Sequence, residues 1–339
     1  MALLAIGVPA QAQSLGDTDA APGRLRTATL IPTGRDDTIT IKADESIGMD
    51  AVSIIDPATQ TAGNPGAFQD LNVGFDVQPR LIDGFGTRLS YAYHRVDYPT
   101  SASYRYDTHD AGLTVSHRIG GATVALSAGA TRFSEGGMRQ LDTWTIGGTV
   151  SGPVTTGMTA IADYHFARTA YAIDRPDSVT HQATLMLTQT IGHAGSYAVA
   201  ALGLSRQRAT SDQLYIFWSS LSGMQLDIDP AYRPYDTWSQ AAALSLRLRD
   251  ILGNPVVTGG ADLGYQRRRF DHVDYAINPD IGAVRHDDEI DASAFVQYRL
   301  SRHLYGRMTV TRRDTFSNLD AIARHGSGAS LGLRWRMSH

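Results

Sequence analysis

Ala122-Thr123-Val124-Ala125-Leu126-Ser127-Ala128-Gly129-Ala130-Thr131 is the stretch whose alternation decides the fold. In an extended strand successive side chains leave on opposite faces. Ala122, Val124, Leu126, Ala128 and Ala130 therefore form one apolar face, and Thr123, Ser127, Gly129 and Thr131 form a smaller, more polar one. Working outward, the same two-residue period returns. Ala292, Ala294, Val296, Tyr298 and Leu300 oppose Asp291, Ser293, Gln297 and Arg299, and Leu304, Met308 and Val310 oppose Arg307, Thr309 and Thr311. Helical periodicity is nowhere convincing.

The pattern predicts strands at 37–43, 70–79, 87–97, 105–118, 121–133, 141–151, 157–172, 179–192, 196–210, 236–249, 255–271, 287–300, 304–317 and 326–337. Many reach or exceed the roughly nine to eleven residues that cross a bilayer at a tilt, where soluble strands average about five or six. Connections alternate between tight (80–86, 119–120, 152–156, 193–195, 250–254, 301–303) and longer (44–69, 98–104, 173–178, 211–235, 272–286, 318–325), with 134–140 ambiguous. Such alternation is expected of a barrel with both termini on the short-turn, periplasmic side. The expected fold is all-β, a transmembrane antiparallel up-and-down barrel of about fourteen strands, with sixteen as the alternative.

Composition agrees. The 339 residues are 42% hydrophobic and 19% charged, mean hydropathy is −0.21, and no apolar run reaches helix-spanning length. The chain has no cysteine, which suits passage through an oxidising periplasm without a disulfide framework. A formal net charge of −4 gives no general basic field, so nucleic acid is not an expected partner. Lys42 is the only lysine, so 29 of the 30 basic residues are arginine.

Residues 1–12, with an Ala10-x-Ala12 site, read as the remnant of a signal peptide. Residues 13–35, mixed in charge and without period, read as a periplasmic leader or small plug, leaving 36–339 to the barrel. Aromatics collect beside the longer loops: Tyr98, Tyr104 and Tyr106, then Tyr171, then Tyr232, Tyr235 and Trp238, then Phe270 and Tyr275, then Phe316. Together they suggest an interfacial girdle, within outer-membrane lipid and lipopolysaccharide.

The closing segment Ser330-Leu331-Gly332-Leu333-Arg334-Trp335-Arg336-Met337 resembles the C-terminal assembly signal of Gram-negative outer-membrane barrels, although Ser338-His339 replaces the usual terminal aromatic. The resemblance implies recognition by the barrel-assembly machinery. Tyr265-Gln-Arg-Arg-Arg-Phe270-Asp271, Tyr298-Arg-Leu-Ser-Arg302 and Arg312-Arg-Asp-Thr-Phe-Ser-Asn318 resemble the β-barrel porins found with exopolysaccharide systems. They are also similar in style to cellulose-exporter barrels and to surface-lipoprotein assembly modifiers. That resemblance implies polysaccharide export, together with a separate periplasmic scaffold or a polysaccharide synthase complex as partner.

If the apolar faces meet lipid, Arg88, Arg118, Arg247, Arg249 and Arg268, with Arg299, Arg307, Arg313, Arg334 and Arg336, point into the lumen. Guanidinium groups there favour anions and can bond the carboxylates or hydroxyls of a sugar chain. Asp110, Asp262 and Asp291 share those faces, so a neutralised ladder that only holds the wall together is the competing expectation. In loop 211–235, Tyr215, Phe217 and Trp218 belong to a stretch too apolar for free solvent. They could form a constriction that stacks on sugar rings, or an anchor at the membrane rim.

The one Gly-x-Ser-x-Gly match, Gly328-Ala329-Ser330-Leu331-Gly332, lies inside the predicted strand 326–337 and so forms no nucleophile elbow, and the sequence holds no His-Glu-x-x-His pair and no phosphate-cradling glycine loop, so no enzyme, metal or cofactor is expected. His94, His109, His117, His165, His181 and His193 are spread over four predicted strands and the end of one of them, and a barrel-embedded hydrolase would have to assemble across the sheet. The expected function is a pore for solutes or an exopolysaccharide chain. The alternatives are a non-conducting structural or adhesive barrel that presents its loops, and that hydrolase.

Overall fold

The structure, a computed structural model, describes residues 38–50, 54–55, 62–63, 66–79, 84–98, 105–172, 177–192, 196–210, 215–216, 228–229, 236–251, 254, 256–273, 284–318 and 323–338. The signal remnant and the leader, with Phe217 and Trp218, fall outside these residues. Tyr215 belongs to a two-residue pairing, Tyr215–Ile216 with Ile228–Asp229, of whose side chains nothing is described.

Fourteen strands make one closed barrel. They are β1 (Thr38–Asp50), β2 (Gly66–Gln78), β3 (Phe85–Asp97), β4 (Tyr106–Ile119), β5 (Ala122–Glu135), β6 (Met138–Thr155), β7 (Met158–Tyr171), β8 (Ser178–Ile191), β9 (Ser196–Ala209), β10 (Thr237–Arg249), β11 (Val257–Val273), β12 (Val284–Arg299), β13 (Leu304–Ser317) and β14 (Arg324–Ser338). Each is antiparallel to the next, and β1 pairs with β14 from Thr40↔Ser338 to Asp50↔Gly328. Closure leaves no unpaired edge. That is a condition for a sheet in lipid, where an unsatisfied backbone group costs several kcal/mol. Among the described residues no helix is long and apolar enough to cross a membrane.

The wall has two chemistries. Along β5, Leu126 is 69% exposed while Ala125, its neighbour in sequence, is 3% exposed. Ile146, Leu202, Leu244, Leu263 and Leu331 share the outward face and are likewise exposed. Together they form an apolar belt that in water would be an untenable surface and in a bilayer is a solvated one. Inward positions are small and polar: Thr114, Ser116, Thr149, Thr180, Thr184 and Ser205 are all buried.

The belt ends toward the long loops in a row of outward polar partners. Arg132 is paired with Asp142 at 2.9 Å, Arg267 with Asp288 at 2.8 Å, and Arg312 with Asp314 at 2.7 Å. Just below them two tyrosines bond histidines, Tyr91 to His109 at 2.8 Å and Tyr164 to His181 at 2.6 Å, as amphipathic rings do at a membrane interface.

Three expectations change. The first strand runs on to Asp50 instead of ending at 43, because both of its flanks are paired, with β14 and with β2, and that ladder carries the polar Asp44-Glu45-Ser46 through. The ambiguous stretch 134–140 is a two-residue turn at the long-loop end. Gly136 and Gly137 take φ of 56° and 82°, the positive pair that a twisted hairpin requires and that only glycine adopts cheaply. So short and long connections do not interleave without exception.

The girdle is the third correction. Trp238 and Phe316 do face outward, 53% and 48% exposed. Tyr98, Tyr106 and Phe270 turn inward and are buried, because they occupy the other phase of their strands. Tyr104, Tyr232, Tyr235 and Tyr275 lie outside the described residues. The outward aromatics of the loop end are instead Tyr91, Tyr93, Trp144, Tyr164 and Tyr265, set by strand phase and not by nearness to a loop.

Candidate functional site: the lumen

Strand phase places the sequence-predicted residues. Leu89, Leu246, Leu248, Leu263, Tyr298, Met308 and Trp335 hold the outward phase of their strands, so Arg88, Arg247, Arg249, Arg268, Arg299, Arg307, Arg313, Arg334 and Arg336 hold the inward one. Arg118 shares the inward phase of β4 but sits at a turn, where its Nε donates to the Gly120 carbonyl at 3.2 Å. Asp110, Asp262 and Asp291 are inward as well.

Eight of these ten arginines are gathered on one side. Strands β10 to β14 carry Arg247 and Arg249, Arg268, Arg299, Arg307 and Arg313, Arg334 and Arg336. The facing wall, β5 to β8, presents mainly threonine, serine and glycine, with Asp163 and His165 as an ion pair at 2.7 Å. His165 is admitted by Gly147, directly opposite it in register, since a Cβ at Gly147 would collide with the imidazole.

Asp262 is the hub of the basic side. It accepts two bonds from one guanidinium nitrogen of Arg247, at 2.7 and 3.0 Å, one from the Ser245 hydroxyl at 2.7 Å and one from the Ser293 hydroxyl at 3.2 Å. A carboxylate so fully satisfied fixes Arg247 and removes one positive charge from the lumen. Arg313 meets Asp291 and Glu289 of the neighbouring strand β12, and Arg88 meets Asp76 of β2. Part of the arginine set is therefore a cross-strand ladder. Arg249, Arg299 and Arg336, at the end that bears both termini, make no side-chain hydrogen bond or ion pair among the described residues.

Phe295, on β12, points inward between cations. The Arg307 guanidinium carbon lies 3.8 Å from its ring centroid and that of Arg247 5.3 Å. A stacked guanidinium keeps its N–H edge available while its face is held.

Near the loop end the inward side carries an apolar and aromatic cluster. Val96, Tyr98 and Tyr106 form a buried cluster against Phe68 and Phe133, with Tyr98 and Tyr106 ring centroids 6.4 Å apart. Tyr106 and Arg313 both hold the inward phase of their strands, with four strands between theirs around the wall.

Sequence reasoning missed Asp76, Asp163, Arg285, Glu289 and Phe295. The alternation Arg285-x-Asp287-x-Glu289-x-Asp291 signals a strand that starts before 287, and Phe295 is betrayed by falling in the phase of Ser293 and Gln297. Outside the lumen, Asp236, Asp271 and His272 could group around a cation. Asp271 is already paired with Arg206, and Asp236 accepts the Ala209 amide at 2.7 Å, so the protein itself satisfies both carboxylates.

A closed wall with an apolar outer belt and a polar bore has one solvent it fits. The chain is an outer-membrane β-barrel. No family model matches it, and no curated protein does. Among solved structures, it is similar to OccAB3 of Acinetobacter baumannii, at a TM-score of 0.45 and 8% identity over 90% of this chain and 100% of that one. OmpT of Vibrio cholerae, folded in vitro, also gives 0.45, at 11% identity over 90% and 99%. A structure described as a bacterial polysaccharide outer membrane secretin gives 0.42, at 10% identity over 88% and 98%. At these scores the fold rests on the barrel's own ladder and belt.

Proposed function

We propose that this barrel is a pore, carrying solutes or an exopolysaccharide chain across the outer membrane through an arginine-rich lumen. The observation that carries the reading is the division of the bore. One side, β10 to β14, presents guanidinium groups, and the facing side presents hydroxyls. Buried arginines are costly to retain in a wall that only has to stand. In a water-filled bore they lower the barrier for anions and offer bidentate bonds to carboxylates. Phe295, held between Arg247 and Arg307, steadies two of those donors at the wall of the bore.

The test is single-channel recording of the refolded chain in a planar bilayer, with and without residues 211–235. Steady anion-selective current supports the reading. Current that appears only after the deletion supports it too, and makes that loop a gate. Silence in both overturns it.

A non-conducting structural barrel is the second reading, favoured by one observation, the buried cluster of Val96, Tyr98 and Tyr106 packed by Phe68 and Phe133 on the inward side near the loop end. Tyr106→Ala separates the two: conductance should rise several-fold in a pore whose constriction this is, and stay at zero in a barrel sealed elsewhere.

A further inference from the structure

The inward charges are sorted along the bore as well as around it. In the half nearer the termini, described inward side chains comprise eight arginines, at 88, 118, 247, 249, 299, 307, 334 and 336, against three carboxylates, Asp76, Asp163 and Asp262. In the half nearer the long loops the balance reverses: three arginines, Arg268, Arg285 and Arg313, face five carboxylates, at 70, 110, 287, 289 and 291. The pairings sharpen this difference. Asp76 and Asp262 are consumed by Arg88 and Arg247, while among the described residues Arg249, Arg299 and Arg336 have no ion pair at the termini end.

We propose, resting on the pore reading, that the lumen is a bipolar filter that passes ions more readily in one direction. Mobile ions inside a narrow bore carry the sign opposite to the wall. Anions are therefore the main carriers in the termini half, and cations in the loop half. When the loop end is made positive, anions enter from the termini end and cations enter from the loop end. Both accumulate where the halves meet, and conductance rises. With the opposite polarity both are drawn out of the middle, which is depleted, and conductance falls. At zero driving force the fluxes balance, so the asymmetry governs flow and not equilibrium. The class of solute that gains most is a small anion that enters at the termini end and leaves at the loop end.

The chain lacks cysteine, so Ala172→Cys, at the exposed end of β7, gives a single handle on the loop side. A membrane-impermeant thiol reagent on that handle reports the orientation of each inserted channel. Current–voltage curves in potassium chloride should then show at least about twofold more current with the loop end positive at 0.01 M salt, where the screening length is about 30 Å. The curve should become straight at 1 M, where that length is about 3 Å. Arg249→Ser, Arg299→Ser and Arg336→Ser together should flatten the low-salt curve. An ohmic or oppositely rectifying wild-type curve at low salt overturns the bipolar filter while leaving the pore standing. Absence of current in every preparation overturns both.

Discussion

The guanidinium carbon of Arg307 lies over the ring of Phe295, 3.8 Å from its centroid, inside the bore. Phe295 is thereby the fixed base on which a cation of the lumen is mounted. Replacing it with leucine should leave the barrel assembled, at a cost of about 1–2 kcal/mol, the usual strength of such a contact. It should also lower the anion-to-cation permeability ratio, because Arg307 would no longer be held in place. Reversal potentials in a salt gradient measure the ratio, and an unchanged value would detach Phe295 from ion selection.

Leu126 is the third of the five apolar outward positions of β5 and is 69% exposed, which puts it well inside the belt. Leu126→Arg should cost roughly 2–4 kcal/mol of folding stability in lipid if it lies at the bilayer midplane. Ser127→Arg, directed into the bore, should be much milder. Urea titration of the barrel in vesicles compares the two, and equal tolerance would mean that the faces have been exchanged.

Asp262→Asn removes the charge that Arg247, Ser245 and Ser293 converge on. Stability should fall by about 1–3 kcal/mol, the range for a lost charge-assisted bond, while anion selectivity rises as Arg247 is released into the bore. Denaturation and reversal potential should thus move in opposite senses, a split that simple unfolding would not produce.

Gly137 sits at φ 82°, so Gly137→Val should cost about 1–2 kcal/mol through backbone strain alone. Refolding yield at a fixed lipid ratio would fall accordingly. Gly121, in the two-residue turn Gly120-Gly121, has no positive φ and open space at its Cβ position, so Gly121→Ala should be nearly neutral.

The strand ladder was legible in the sequence because a single period runs through it. The segment predicted at 304–317 matches β13 to the residue, and most other boundaries fall within two or three. Where the reading slipped, the cause was local chemistry overruled by pairing. Asp44-Glu45-Ser46 resembles a loop in isolation, yet a strand flanked on both sides by neighbours continues. Tyr98 and Tyr106 resemble a girdle by position, yet their phase turns them inward. The inward arginines follow from alternation, while Phe295 did not stand out, since an aromatic in a polar phase contradicts the pattern that made the phase readable. Which acids satisfy which arginines depends on register between strands far apart in sequence, as with Arg88 and Asp76, and periodicity says nothing of it.

The seam between β1 and β14 has a consequence in time. Every other pairing joins strands consecutive in the chain, and each hairpin can form as soon as its second strand exists. The β1–β14 ladder joins segments separated by nearly the whole sequence, and its loop-closure entropy must be met before any of its bonds form. Until then the sheet is an open curl with two sticky margins, each able to take a strand from another molecule. The hazard of misassembly is thus concentrated in one late event, the meeting of Thr40–Asp50 with Gly328–Ser338, and anything that guides folding of this barrel has most to gain by holding those two margins apart until they can be joined.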